Sequence, residues 1–411
     1  MTSFLILAYL LGADPQPAEW PQWHGSNRDS VANIRLDQLP KTPHARWRLP
    51  IGGGYGGVSV AGGRVYLMDR QSKPTEVERV LCIDADTGRE VWVHSYPVTY
   101  GKLDYGNGPR ATPTVHDGRV YTFGAVGHLH CLDAKTGKVI WSRDGVKDFS
   151  ARVPMWGLAS SPLIDAKRVI VQMGGEPDAC YVALDAVSGK EVWRTLPDRP
   201  GYASAVAIET NRGRQLICWT AEHVAGVEPA SGAVLWRVPH TTEYDVTISD
   251  PVWHASTLLV GDYWKGCLGI RLGADYRTPT TVWSGKRLSL LMSTPLIRGR
   301  HAYAIDRRDG LKCIDMASGT IKWEGVHVTP AGRNPQASLV WLADTDRALI
   351  FNEKGELILA RLTPAKFTEL GKIKVMAPPK PGDVIWAHPA YARGAIFARS
   401  DAELVCVPIV P

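Results

Sequence analysis

The segment LDAKTGKVIW, residues 132–141, constrains the fold because the chain repeats it. IDADTGREVW ends at Trp92, LDAVSGKEVW at Trp193, VEPASGAVLW at Trp236 and IDMASGTIKW at Trp323. The shared pattern is an acid, two variable residues, Ser or Thr, Gly, three further residues and Trp. With Trp47 and Trp283 included, successive tryptophans stand 40–52 residues apart. Periods of this size mark repeat architectures, and strand-rich units of about 40–50 residues mark propeller blades.

The content of a unit decides between blades and helical repeats. In residues 110–141, RATPTVHD, VYTFGA, HLHCLD and KVIW are short β-branched or aromatic runs separated by Gly-bearing turns, a four-stranded meander. Helical periodicity is absent from the repeats. Within the motif, Asp133 can accept backbone N–H groups of the turn, and Gly137 supplies the left-handed backbone of a tight bulged hairpin. Trp141 then lies on the outer strand, where a large ring can wedge between blades if its N–H finds a carbonyl.

Third strands are predicted at 78–84, 128–133, 180–185, 223–228, 267–272, 311–315, 357–362 and 403–408, giving eight units. Two are worn: RTPTTVW keeps Trp283 without the Ser/Thr-Gly turn, and TPAKFTELGK loses turn and Trp alike. The last unit runs out of chain after three strands, and HARWRLP with Trp47 supplies a fourth from the other end. The fold expected is all-β: a single closed eight-bladed β-propeller of four-stranded antiparallel blades, its last blade completed by an N-terminal strand, so that no sheet edge stays open. The propeller covers residues 44–411 at about 46 residues per blade. The docking tryptophans are Trp47, Trp92, Trp141, Trp193, Trp236, Trp283 and Trp323. APPKPGD, residues 377–383, is a stiff connection between blades.

Ahead of the ring, residues 4–13, FLILAYLLGA, are apolar but too short to span a bilayer, and small then polar residues follow. Although no Lys or Arg precedes this run, it predicts a signal peptide over residues 1–13, an N-terminal extension over 14–43, and an exported protein, periplasmic or secreted. The formal net charge of +6 is spread over hairpin shoulders such as Arg64, Arg119, Arg168 and Arg300, which argues against a nucleic-acid partner. The 7 cysteines include no CxxC, and Cys82, Cys131 and Cys313 recur once per unit two places before the aspartate. They read as small core residues, not as a disulfide framework. No metal site is expected, since His128 and His130 alternate on a strand without ligand-spaced partners. Gly52, Gly54 and Gly57 satisfy a dinucleotide fingerprint, but a strand follows where a helix would have to present its N-terminus to phosphate.

In a propeller, the loops entering the innermost strands ring the channel mouth. Here they carry Tyr105, Asn107, Arg110, Trp156, Tyr202, Tyr244, Asp245, Asp250, Trp386 and His388. Arg110 has the planar fork that pairs with carboxylates, Trp156 and Trp386 offer stacking faces, and Asp245 or Asp250 offers a base or an oxygen ligand for Ca²⁺.

On the repeated acid–Gly–Trp signature, the sequence resembles the pyrroloquinoline-quinone (PQQ) repeat superfamily, in which this signature is the tryptophan-docking motif of eight-bladed propellers. WPQWHGSNRDSVA, residues 20–32, and GPRATPTV, 108–115, are similar to phrases of exported bacterial members. The resemblance implies one of two functions. PQQ-dependent alcohol dehydrogenases hold quinone and Ca²⁺ above the channel, whereas the propeller lipoprotein of the outer-membrane β-barrel assembly machinery is a binding scaffold. The chain lacks the adjacent cysteine pair frequent in those dehydrogenases, and its first cysteine is Cys82, too far along for a lipid anchor. The expectation is a non-catalytic, monomeric scaffold with no cofactor, not membrane-spanning, that binds a protein or small molecule at the channel mouth. The alternative is a quinoprotein-like dehydrogenase of alcohols or sugars using PQQ with Ca²⁺, with Asp245 or Asp250 as base.

Overall fold

The structure, a computed structural model, describes residues 18–101, 103–330, 334–343, 345–380, 383 and 385–410. The expected signal peptide lies outside the described residues, as do parts of the 377–383 connection. Among the described residues no helix is long and apolar enough to cross a membrane.

Eight antiparallel meanders form the ring. Blades 1 to 7 occupy residues 59–97, 114–144, 163–195, 206–239, 252–285, 296–326 and 337–374. Blade 8 takes its first three strands from Ala390–Ala392, Ala395–Arg399 and Glu403–Pro408, and its outer strand is Trp47–Pro50, paired Trp47 to Cys406. The N-terminal strand thus closes the circle. One addition was not foreseen: Val31–Ala32 runs parallel to the innermost strand of blade 7, making that sheet five-stranded.

The motif works between blades rather than within one. In each good copy the acid caps its own turn: the Asp133 carboxylate accepts from the amides of Lys135 and Thr136 and from the Thr136 hydroxyl, at 3.1, 2.8 and 2.7 Å. The turn glycine has φ near +70°, as Gly137 does at 69°. It also has no room for a side chain, because the tryptophan of the preceding blade lies on it. A Cβ on Gly137 would stand 2.6 Å from the Trp92 ring, and one on Gly189 the same distance from Trp141. The Trp92 and Trp141 indoles donate to the carbonyls of Ala134 and Ala186, each at 3.1 Å. Trp47 closes the sequence by lying on Gly88 of blade 1 and donating to Ala85.

The worn copies follow the same physics. Blade 5 offers no Ser/Thr-Gly turn, so the Trp236 indole donates instead to Oε1 of Gln215 in its own blade, at 3.0 Å. Trp323 faces the degenerate turn of blade 7 and donates to the Thr363 carbonyl. Directly across the sheet from each docking tryptophan stands a small residue: Cys82, Cys131, Ala183, Gly226, Gly269, Cys313 and Cys406. This explains the cysteine at Cys82, Cys131, Cys313 and Cys406, since an indole needs a small cross-strand neighbour; all seven cysteines are buried and unpaired with one another.

Burying one indole contributes a few kcal/mol at about 25 cal/mol per Å². Trp47, 9% exposed, joins its strand to blade 1 through Gly88 and Ala85 and, across the seam within blade 8 that the chain does not connect covalently, faces Cys406 and Phe397. Trp47→Ala is expected to cost about 3–5 kcal/mol in chemical denaturation, the range of a large core truncation. A loss within about 0.5 kcal/mol, the usual scale for surface changes, would place the closure energy elsewhere.

Candidate functional site

Each outer strand hands over to the next blade through a loop that returns to the channel. Just before the innermost strand, equivalent positions carry Gly57, Thr112, Ser161, Ser204, Asp250, Thr294, Gln336 and His388. They form a neck in which one blade bonds the next. The amides of Gly57, Thr112, Ser161 and Ser204 donate to side-chain oxygens of Thr112, Ser161, Ser204 and Asp250, at 3.0, 2.9, 3.0 and 2.8 Å. The Asp250 amide continues the belt to the Thr294 hydroxyl at 3.2 Å. A hydroxyl suffices for this role. Gly57, which has no side chain, and Asp250, Gln336 and His388 depart from it.

Above the neck lies a cavity of about 700 Å³ to which all eight inter-blade loops contribute. Its wall is aromatic. Tyr55, Trp386, Tyr105, Trp156 and Tyr202 follow one another with ring centroids 6.2, 5.5, 6.5 and 5.5 Å apart. A second group, Tyr244, Trp264 and Tyr263, has centroids 5.4 and 4.7 Å apart. Tyr105 and Tyr244 sit at φ of 60° and 56°, a strained backbone for residues with side chains. The Asn334 amide donates to the Tyr105 hydroxyl at 3.0 Å, bridging the loops before blades 7 and 2. Among the described residues the buried Trp156 indole N–H has no hydrogen-bond partner, and the Tyr202 hydroxyl lies against the Trp156 backbone.

Of the residues expected at the mouth, Tyr105, Arg110, Trp156, Tyr202, Tyr244, Asp250, Trp386 and His388 line this cavity. Asn107 and Asp245 do not. Asp245 turns outward to the Arg199 guanidinium at 3.0 Å, because its short helical turn (Glu243–Asp245) projects Tyr244 inward instead. Trp23, Tyr55, Trp264, Met292 and Gln336 line the cavity unforeseen; for Gln336 the departure from Ser or Thr before an innermost strand was the available signal.

The charges are few. Arg110 stacks on Tyr55, 5.1 Å to the ring centroid, and donates to the Gly108 and Gly106 carbonyls. Burial holds its pKa below the usual guanidinium value. At the floor, burial raises the Asp250 carboxyl to about 6, although Arg28, the Trp23 indole and the Ser204 amide all favour its charged form. Burial also keeps His388 neutral, its pKa lowered to about 4. Among the described residues the one cluster with metal-ligating spacing, Asp198, Glu222 and His223, lies outside the cavity. It is held by the Thr220 hydroxyl and Arg199.

A family model described as outer membrane protein assembly factor BamB matches residues 76–325 and 220–409. Among curated proteins, the chain is 30% identical over 261 residues to quinoprotein alcohol dehydrogenase PedH of Pseudomonas putida, covering 57% of this chain and 41% of that protein. It is 28% identical over 248 residues to quinohemoprotein alcohol dehydrogenase ADH IIB of the same species, covering 56% and 32%. The chain therefore spans 32–41% of the length of these relatives. Among solved structures, BamB from Moraxella catarrhalis superposes with TM-score 0.59 at 14% identity, over 90% of this chain and 98% of that one. Quinohemoprotein alcohol dehydrogenase from Comamonas testosteroni superposes with TM-score 0.63 at 12% identity, over 95% and 80%. At these identities the structural likeness concerns the fold.

The raised Asp250 pKa has a stability consequence. A carboxyl whose folded pKa lies above its ordinary value stabilises the fold at low pH, and that stability is lost as pH rises through the folded value. Between its usual value near 4 and about 6 the loss amounts to about 3 kcal/mol. Relative to Asp250→Asn, the wild-type protein is therefore expected to lose stability by that order between about pH 4 and pH 7. Parallel denaturation curves of the two proteins across that range would contradict the assignment.

Proposed function

Starting from a chain that belongs to the PQQ-like repeat propellers of the BamB family, we propose that it is an exported binding propeller whose ligand is a neutral, hydroxyl-bearing ring compound of the carbohydrate class. The observation that carries this reading is the aromatic wall around a single floor carboxylate. Aromatic faces accept the C–H faces of a sugar ring, while its hydroxyls need acceptors and donors at the ends. The cavity supplies both kinds of surface: the two runs of rings and, below them, Asp250, Gln336 and His388.

The second reading is a quinoprotein dehydrogenase, favoured by the names of the curated relatives. The cofactors it needs are PQQ and Ca²⁺. Calcium takes 6–8 oxygen ligands. In this cavity the floor presents one carboxylate, Asp250, and the Arg28 guanidinium beside it opposes a second cation. Asp104, the other lining carboxylate, stands exposed at the rim. A planar quinone would find stacking faces, but its carboxylates would meet one lining guanidinium, Arg110, which is already engaged by backbone carbonyls. The described residues do not fit the pair, and the binding reading is preferred.

Maltose and cellobiose, titrated separately, are expected to include at least one that raises the melting temperature saturably. PQQ with Ca²⁺ is expected to leave melting temperature and absorption spectrum unchanged. Saturable quinone binding with alcohol-dependent dye reduction would overturn the proposal, as would indifference to both saccharides at tens of millimolar.

A further inference from the structure

The phrase WPQWHGSNRDS, residues 20–30, belongs to no blade, yet it touches most of them. The Trp20 backbone exchanges two hydrogen bonds with Val60 of blade 1, at 2.9 and 2.8 Å, and the Pro21 carbonyl accepts from Val115 of blade 2 at 2.8 Å. The Arg28 guanidinium donates to the Pro162 carbonyl beside blade 3 at 3.0 Å, and the Ser30 carbonyl accepts from Trp341 of blade 7 at 2.8 Å. To make these contacts in so few residues the backbone coils tightly: His24, Gly25, Arg28 and Ser30 all have positive φ, 62°, 87°, 56° and 56°. Three of these four carry side chains, a cost that persists where the surroundings over-determine the conformation.

The coil drives two rings into the neck. Trp23 lines the cavity and packs against His388 with centroids 4.3 Å apart. Its indole donates to Oδ2 of Asp250 at 2.6 Å, while Oδ1 takes the belt hydrogen bond from Ser204. The division of labour is informative. Thr112, Ser161 and Ser204 perform the belt role with one oxygen, so the second oxygen of Asp250 is the one that answers to the N-terminal segment.

We propose that residues 20–30 are a built-in floor, and that Trp23 is a positioning residue that aims the Asp250 carboxylate into the cavity as the acceptor for a ligand hydroxyl. The channel thereby becomes a blind pocket, and what it binds depends on the N-terminal segment as well as on the ring. This inference rests on the proposed function for its ligand and on the structure for its geometry.

The groups facing Asp250 set its pH behaviour. From the segment come the Trp23 N–H, the Arg28 guanidinium, and His24, whose Nε2 is 3.8 Å away and which burial keeps neutral. The loop before blade 4 contributes the Ser204 amide, and the Thr294 hydroxyl before blade 6 takes the Asp250 amide. Losing the Trp23 donor removes a group that favours the charged form, so the carboxyl should then hold its proton to higher pH.

The test uses the full chain labelled with ¹⁵N-tryptophan and titrated from about pH 4 to pH 8, bracketing the carboxyl. The indole resonance absent from Trp23→Phe identifies Trp23. It is expected to shift with a midpoint of about 6 and to lose that titration in Asp250→Asn. In Trp23→Phe, affinity for maltose and cellobiose is expected to fall about tenfold, the size of a lost hydrogen bond to a charged group. The pH profile of binding is expected to move upward. A Trp23 resonance that stays flat overturns the inference, as does Trp23→Phe with unchanged affinity and pH profile. Should Trp23→Phe fail to fold, the wild-type and Asp250→Asn titrations compared resonance by resonance still decide. Because the indole titration needs no saccharide, its success beside absent saccharide binding would refute the ligand class and uphold the positioning role.

Discussion

The seating of one blade's indole on the next blade's turn glycine is the contact on which the ring depends. Its two halves are encoded in one motif but belong to different interfaces: the Gly of a copy receives the preceding Trp, and the Trp of the copy reaches the following Gly. A side chain at the glycine would collide with the ring even if its backbone tolerated a positive φ. The small residues across the strand from each tryptophan, from Cys82 to Cys406, make the other wall of the slot. Because Trp47 meets Gly88 in the same way, the chain's covalent break in blade 8 is invisible to the packing.

This periodic contact made the architecture readable. Strands, blade count and closure follow from spacings that recur, and the eighth blade follows from a count that comes out one strand short. Features that occur once are harder to read. The parallel Val31–Ala32 strand has no copy elsewhere in the chain. Trp236 looks like every other docking tryptophan, yet it finds Gln215, because its missing acceptor belongs to the following blade. At the mouth, eight of the ten residues picked from loop composition line the cavity, but composition could not orient them. Asp245 and Tyr244 are adjacent, and a single turn of backbone sends one outward and the other in. Asp250 was legible in a second way. The residue before the innermost strand is a Ser or Thr in ATP, SSP and STP, and SDP breaks that series. Trp23 carried no such signal, since its partner is 227 residues away.

Rigidity in the ring and variety at the mouth are linked. With blades fixed by indoles and by the neck belt, each entering loop can change without disturbing its neighbours, which is how one fold comes to serve different functions. The relatives span an outer membrane protein assembly factor and alcohol dehydrogenases. In this chain the same platform presents an aromatic chamber over a lone carboxylate, with the N-terminal segment beneath it. The acid keeps its proton up to about pH 6 because it is buried, and it remains ionisable because Arg28 and Trp23 stand beside it.

The interlock itself is best tested by a double-mutant cycle between Trp141 and Gly189 in equilibrium denaturation. Gly189→Ala carries two penalties, the backbone strain of a φ of 68° and a methyl 2.6 Å from the Trp141 ring. Only the second disappears in a Trp141→Leu background. The account predicts that Gly189→Ala is milder there, with a coupling of about 1–3 kcal/mol, as for residues in direct contact. Additive effects, within about 0.5 kcal/mol, would mean that the ring does not rest on the glycine and that something else joins the blades.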